Sequence, residues 1–160
     1  MIATLTIRTS VLRDLAVVDA LLARSYPKLL KADYPPSVMV TALPLIARAR
    51  PGLLTSGTYY LAEIAGDVVG AGGWSRSSAA RGEVRHLVVD DRQVRQGIGR
   101  ALMAWIFAAS RAAGLEELTC QATRTAVPFY RAVGFSELES IEVPLRPGIS
   151  FPAVLMRRAL

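Results

Sequence analysis

Cysteine, histidine, lysine and long apolar runs are all scarce in this sequence. The single cysteine, Cys120, cannot form an internal disulfide bond, which favours a reducing, cytoplasmic environment. No apolar run approaches the roughly 20 residues that a membrane-spanning helix needs. The first ten residues, MIATLTIRTS, show neither the basic start nor the apolar block of a signal peptide. We therefore expect a cytoplasmic protein with no membrane partner.

The sequence offers no pattern typical of a metal site. His86 is the only histidine, and neither it nor Cys120 has a second metal ligand at a suitable spacing. We interpret Cys120 as a core residue of a strand and His86 as a packed or edge residue. The sequence therefore predicts no bound metal.

Positive charge is abundant but dispersed. Nineteen basic residues, 17 of them arginine, against 13 acidic ones give a net charge of +6. Such a balance suits an anionic partner: nucleic acid, a membrane surface or a phosphorylated cofactor. The arginines are spread along the chain without interleaved aromatic residues, which argues against a nucleic-acid surface. One local group of arginines surrounds a glycine-containing stretch: Arg81, Arg85, Arg92, Arg95 and Arg100.

Composition predicts one packed domain over residues 1–160, because 52% of the residues are apolar and 20% are charged. The mean hydropathy of +0.33 is high for a monomer and favours a buried face between two copies, that is, a homodimer.

Apolar periodicity and turn residues predict an order of strands and helices. The predicted elements are a strand at 3–9, helices at 11–26 and 37–50, strands at 58–65 and 68–75 joined at Gly66-Asp67, a strand at 83–89, a helix at 98–113, a strand at 117–123, a helix at 125–133, and strands at 136–144 and 151–158. We expect Pro27 to follow the first helix and Pro51 to close the second. This order predicts an α/β fold with a mixed central sheet and helices on both faces.

Alternation along the strand at 83–89 predicts which side chains share a face. Strict alternation puts Glu83, Arg85, Leu87 and Val89 on one face and Val84, His86 and Val88 on the other. A bulge would change this pattern, and three nearby glycines, Gly70, Gly72 and Gly73, mark either a bulge or a close approach.

Two glycines, Gly97 and Gly99, stand at the predicted start of the helix that follows. A dinucleotide-binding fold would have a third glycine where Leu102 stands, and a triphosphate-binding loop would need a Gly-Lys-Ser/Thr sequence. What remains is an anion-binding cradle of backbone N–H groups from Arg95 to Arg100. Glycines that merely turn the chain are the alternative.

The stretch VVDDRQVRQGIGRALM resembles the coenzyme A-binding motif of the GCN5-related N-acetyltransferases (the GNAT superfamily), Gln/Arg-x-x-Gly-x-Gly/Ala after a Val-x-Pro turn. Gly97 and Gly99 match the glycine positions and Val89 matches the valine. Val94 stands where Gln or Arg is usual, and Asp91 where proline is common. We expect Arg95 and Gln96 to supply the polar contact that is lost.

A second motif follows about 30 residues later. ATRTAVPFYRAVGF resembles Asn-x-x-Ala-x-x-Phe/Leu-Tyr-x-x-x-Gly-Phe of the same family, with Thr123 in place of the asparagine. The matching residues are Ala126, Phe129, Tyr130, Gly134 and Phe135. The two motifs together cover residues 83–135, and the predicted element order agrees with a GNAT-like fold over most of the chain.

The resemblance implies transfer of an acetyl group from acetyl-CoA, a co-substrate, to a primary amine of a small molecule or peptide by direct attack in a ternary complex. It implies Glu83 as the general base and Tyr130 as the acid that protonates the leaving thiolate. Coenzyme contacts are expected from Leu87, Val88, Val89, Arg95, Gln96, Gly97, Ile98, Gly99, Arg100 and Phe129. Acceptor contacts are expected from Tyr26, Tyr34, Trp74 and Arg85.

Two other functions stay open at this stage. A protein with the same fold could bind acyl-CoA as an inactive sensor or regulatory module. The net charge would also fit a nucleic-acid-binding protein. The identity of the acceptor amine does not follow from the sequence.

Overall fold

The computed structural model describes residues 4–94 and 96–160. Within these ranges, no helix combines the length and apolar character needed to cross a bilayer. The strands are β1 Leu5–Thr9, β2 Tyr59–Ile64, β3 Asp67–Arg76, β4 Arg81–Val89, β5 Glu117–Ala122, β6 Ser136–Arg146 and β7 Ile149–Ala159. The helices are α1 Leu15–Leu30, α2 Pro36–Thr41, α3 Leu43–Ile46, α4 Pro51–Leu54, α5 Ile98–Ala112 and α6 Val127–Ala132.

The strands of the described residues form one sheet in the order β1-β2-β3-β4-β5-β7-β6. The β4–β5 pair is parallel, and the other neighbours are antiparallel. Residues of α5 and α6 pack on one face in the main core cluster. Residues of α1 and α4 pack on the other face against β2 and β3. This confirms the predicted mixed sheet with helices on both faces.

The two parallel strands separate soon after they meet. Their pairing runs from Arg81 opposite Glu117 to Glu83 opposite Thr119, although β4 continues to Val89 and β5 to Ala122. Beyond Glu83 the strands therefore enclose a wedge between them.

A β-bulge in β4 alters the predicted alternation. Ala71 of β3 lies opposite Val88, whereas Gly73 lies opposite Arg85, so β4 holds one extra residue, and His86 has a φ of 45°. Val84 packs in the cluster on the α5 face and Val88 in the cluster on the α1 face. The prediction that these residues share a face is therefore wrong, because the bulge shifts the alternation by one residue.

A glycine with a positive φ stands at each end of α5. At its start Gly97 adopts a φ of 80°, a left-handed conformation that favours glycine. At its end Gly114 has a φ of 86°; its N–H donates to Arg111 O at 2.9 Å, and the Leu115 N–H donates to Ser110 O at 3.0 Å. These two bonds form a Schellman motif, which confirms the predicted helix end.

Prolines account for three differences between the predicted and the observed helices. Pro27 lies inside α1, which continues to Leu30, a residue 2% exposed in a cluster that includes Tyr34; this burial offsets the cost of an interior proline. Pro44 lacks an N–H, and the predicted helix at 37–50 is divided there into α2 and α3. Pro51 begins the short helix α4 instead of ending the preceding one.

The hairpin turn lies one residue earlier than predicted. Ala65 and Gly66 have φ angles of 52° and 84°, the left-handed pair of a type I′ turn, and β3 already begins at Asp67.

Candidate active site

The wedge between β4 and β5 opens into a cavity of about 1020 Å³. Its walls come from β4, β5, the start of α5, helix α6, the end of α1 and the β6–β7 hairpin. Because one cavity touches both faces of the sheet, a long ligand can reach from the start of α5 to the end of α1.

The start of α5 presents backbone N–H groups to this cavity. The first bond within the helix runs from the Ala101 N–H to Gly97 O at 3.0 Å, so the amides of residues 98–100 have no acceptor within the helix. A Cβ added at Gly97 would meet nothing within 4 Å, and residues 97–100 line the cavity. The positive end of the helix dipole favours an anion there.

Gly99 brings helix α6 against the start of α5. A Cβ at Gly99 would lie 2.9 Å from Phe129 Cε1, so a larger residue would displace the ring. Phe129 in turn packs edge-on against Tyr130, with 5.4 Å between ring centroids. The two glycines thus have separate roles: Gly97 gives the turn its conformation and Gly99 admits an aromatic ring.

Glu83 stands where the two strands part, at the last paired position of β4, and it lines the cavity. Among the described residues its carboxylate forms no hydrogen bond or ion pair. Ser75 is its neighbour across the sheet on β3. A half-buried carboxylate without a fixed partner can accept a proton from a ligand.

Tyr130, on α6, also lines the cavity and is 6% exposed. Burial raises its pKa well above 10, with smaller contributions from Cys120 and Tyr26, so its hydroxyl stays protonated at neutral pH. Within the described ranges this hydroxyl has no hydrogen-bond partner. Burial also raises the pKa of Tyr26 to about 12. Both hydroxyls are therefore hydrogen-bond donors to whatever occupies the cavity.

Comparison with known proteins decides the family. Residues 47–151 match the family model of the acetyltransferase (GNAT) domain. The chain belongs to this family. It is an acyl-CoA-dependent N-acetyltransferase of the GNAT superfamily. No protein of curated function matches the sequence closely enough to count as a relative.

Solved structures share the fold of this acetyltransferase. A GCN5-related N-acetyltransferase from Rhodopseudomonas palustris is 20% identical with a TM-score of 0.82, over 100% of this chain and 98% of that one. The PaiA N-acetyltransferase from Thermoplasma acidophilum, solved with coenzyme A, is 13% identical with a TM-score of 0.78, over 98% and 99%. Ard1 from Thermoplasma volcanium is 20% identical with a TM-score of 0.70, over 98% and 97%.

In this acetyltransferase most of the predicted site residues meet in one place. The cavity is lined by Tyr26, Glu83, Arg85, Leu87, Val88, Val89, Gly97, Ile98, Gly99, Arg100, Phe129 and Tyr130. Gln96 is exposed and does not line the cavity, and Arg95 lies outside the described residues. Val94, which stands where the family has Gln or Arg, lines the cavity and is 42% exposed.

Two predicted acceptor contacts lie elsewhere. The Tyr34 hydroxyl donates to Pro152 O at 2.7 Å and accepts from the Arg124 N–H at 2.8 Å. The Trp74 indole Nε1 donates to the Tyr60 hydroxyl at 3.1 Å in the core. Neither side chain lines the cavity. Both are therefore corrected to structural residues, because their polar groups already have partners in the protein.

The loop before α5 is tied to α1 by two aspartates of the acetyltransferase motif. Asp90 is 2% exposed; hydrogen bonds from Arg92, and then contacts with Arg24, lower its pKa. Asp91, at the usual proline position, lies 3.5 Å from Lys28 Nζ, and the Ser25 Oγ donates to it at 3.4 Å. Ionic contacts thus hold the turn that a proline would otherwise restrict.

Among the residues of the acetyltransferase cavity that sequence reasoning missed are His86 and Arg50. The bulge turns His86 into the cavity, where burial, followed by Arg50 and Arg85, lowers its pKa to about 4. The glycines of β3 were the available signal, because a Cβ at Gly72 would lie 2.5 Å from Leu87 Cδ1 beside the bulge.

Cys120 also lines the cavity and is 2% exposed. Burial raises the pKa of its thiol, so the thiol stays neutral and is a weak nucleophile. Among the described residues no group of His, Cys, Asp and Glu is arranged to hold a metal ion.

Proposed function

We propose that this enzyme transfers the acetyl group of acetyl-CoA to a primary amine of a small molecule or peptide by direct attack in a ternary complex. One observation carries the proposal: a single cavity joins the amides at the start of α5, the Tyr130 hydroxyl and the Glu83 carboxylate. An anion-binding end, a proton donor and a proton acceptor are what transfer from a coenzyme thioester to an amine needs.

The residues present fit the coenzyme. The open space at Gly97 and the amides of residues 98–100 suit the pyrophosphate, and Arg100 adds a positive charge on the same helix turn. The structural neighbour solved with coenzyme A supports the same assignment. Leu87, Val88 and Val89 of β4 line the wedge, where the pantetheine arm would run between the strands.

The proposed chemistry uses three groups of the chain. Acetyl-CoA supplies a thioester, whose carbonyl carbon the amine nitrogen attacks and whose carbon–sulfur bond breaks. The acceptor amine has a pKa of about 10.4 and is therefore largely protonated in water. Glu83 accepts a proton from this amine. The Leu87 N–H donates to the carbonyl oxygen as negative charge develops, a contribution of about 3 kcal/mol. Tyr130 donates a proton to the sulfur as it leaves, and the second proton that the nitrogen loses on forming the amide passes to the tyrosinate and restores its hydroxyl. Glu83 then releases its proton to water.

Two substitutions test these roles. We expect Glu83→Gln and Tyr130→Phe each to lower kcat by about 10²–10⁴-fold, with little change in KM for acetyl-CoA, because neither removes the anion-binding end. The measurement is steady-state release of free coenzyme thiol with an accepted amine. Glu139→Gln, which alters an exposed carboxylate on β6, is the matched control. Full turnover in both active-site variants would remove these roles.

The inactive sensor predicts a different outcome: coenzyme binding with no transfer to any amine by the wild-type enzyme. A homodimer and a cytoplasmic location stay predictions from the sequence, and light scattering during gel filtration tests the first.

A further inference from the structure

The cavity has a second end, beyond Glu83 and away from α5. Its wall is formed by the end of α1, the segment before α4 and the β6–β7 hairpin. Most of the side chains there are apolar: Leu29, Leu30, Ile46, Val143, Leu145 and Phe151. Such a wall gains free energy from an apolar group of the ligand and offers few partners to a polar one.

The charged residues at this end are Arg50, Arg85 and Glu83. His86 lies beside both arginines and adds no charge at neutral pH, because its pKa is about 4. Arg100 belongs to the α5 end. Two guanidinium groups against one carboxylate leave this end with a surplus of one positive charge.

Neither arginine is neutralised by a carboxylate of the residues that the structure describes. In the described part of the chain, Arg50 and Arg85 form no ion pair with a carboxylate, and the Arg85 Nη1 donates to a neutral group, Ser75 Oγ, at 3.1 Å. Other arginines of this chain do pair, such as Arg24 with Asp90 at 2.8 Å. Both cavity arginines therefore keep donors that match the two oxygens of a carboxylate.

We propose that the acceptor is an amino acid: its amine reaches Glu83, its free carboxylate binds Arg50 and Arg85, and an apolar side chain packs on the wall described above. This inference rests on the proposed function and adds the acceptor's chemical class. A polyamine is disfavoured by the same arginines, since like charges at close range repel, and an amino acid amide lacks the charge that would neutralise them.

Matched amines test the proposal. Wild-type enzyme with saturating acetyl-CoA is assayed for thiol release with the twenty amino acids, their amides and spermidine. We expect an apolar amino acid such as leucine to exceed leucinamide in kcat/KM by at least about tenfold, the effect of a charged hydrogen bond, and to exceed spermidine further.

Arginine variants locate the effect. Arg85→Gln and Arg50→Gln should each raise KM for leucine by about tenfold or more, while kcat/KM for leucinamide and KM for acetyl-CoA stay within about twofold. Arg48→Gln, an exposed neighbour that does not line the cavity, should leave all these constants unchanged. Circular dichroism confirms that each variant is folded.

The two failures are distinguishable. Transfer with equal kcat/KM to leucine and leucinamide, or variants that weaken both equally, would overturn the inference and leave the transferase function standing. Bound acetyl-CoA that is transferred to no amine in the panel would overturn the proposed function, and the inference with it.

Discussion

At His86 the backbone of β4 has a φ of 45°, a conformation that costs a residue with a Cβ about 1–2 kcal/mol. The surrounding structure holds it there, since the Tyr59 hydroxyl donates to His86 O at 2.9 Å. The strained residue brings the imidazole, Arg85 and Glu83 to one cavity. Strain at such a position is common in sites that bind ligands.

The half-buried imidazole of His86 predicts how stability depends on pH. Because the pKa of His86 falls from 6.5 to about 4 in the folded chain, the unfolded chain binds more protons between these values, and folding stability must decrease as pH falls. Well above pH 6.5 the imidazole is neutral in both the folded and the unfolded chain, so its pKa shift costs no stability. Between pH 7 and pH 5 the shift lowers the free energy of unfolding by about 2 kcal/mol.

Urea unfolding at pH 5, 6 and 7 measures this contribution. His86→Asn removes the only imidazole of the chain while asparagine tolerates the positive φ. We expect the variant to lose less stability than the wild type between pH 7 and pH 5, by about 2 kcal/mol. Equal losses in both proteins would contradict a lowered pKa of His86 in the folded chain.

At the scale of elements, Gly70 fixes how closely α5 lies on β3. A Cβ at Gly70 would lie 2.9 Å from Ile98 Cγ2 and 3.1 Å from Leu102 Cδ1, and both side chains are almost fully buried. We expect Gly70→Ala to destabilise the fold by about 1–3 kcal/mol and to weaken coenzyme binding, because the start of α5 would move away from the sheet.

Chemical denaturation and coenzyme titration measure the two effects. Gly52→Ala is the control, because a Cβ there meets nothing within 4 Å and we expect a change within about 0.5 kcal/mol. A Gly70→Ala variant as stable as the wild type would show that α5 adapts without cost.

The sequence predicted those structural features that depend on the conformation of a few neighbouring residues. The glycines around α5 predicted both of its ends, since a positive φ or a close approach depends on the residue itself. Apolar periodicity could not show that α1 continues past Pro27, because Leu30 is buried by residues distant in sequence. Alternation failed in β4 because the extra residue at His86 is stabilised across strands by Tyr59. The apolar wall of the cavity beyond Glu83 was not predicted for the same reason, because its parts meet only in the folded sheet.

At the scale of the whole molecule, the sheet has two parts joined at the β4–β5 pair. Three residue pairs connect them, against six between β5 and β7. The cavity lies between the parts and is lined by both, with Val88 on one strand and Ala122 on the other. A ligand in the wedge therefore contacts both parts of the sheet at once. It connects them where β4 and β5 do not pair with each other.

This arrangement predicts that the coenzyme stabilises the entire chain. Coenzyme A at about 100 times its Kd should raise the free energy of unfolding by about 2.7 kcal/mol, which corresponds to about 5–10 °C in Tm for a chain of this length. Scanning fluorimetry measures the shift, and adenosine, without the phosphates and pantetheine arm, should give a much smaller one.

Hydrogen exchange should slow in both β4 beyond Glu83 and β5 beyond Thr119, because the ligand lies between them. Slower exchange in one strand alone, or an unchanged Tm at coenzyme concentrations that saturate turnover, would contradict a ligand bridging the two parts.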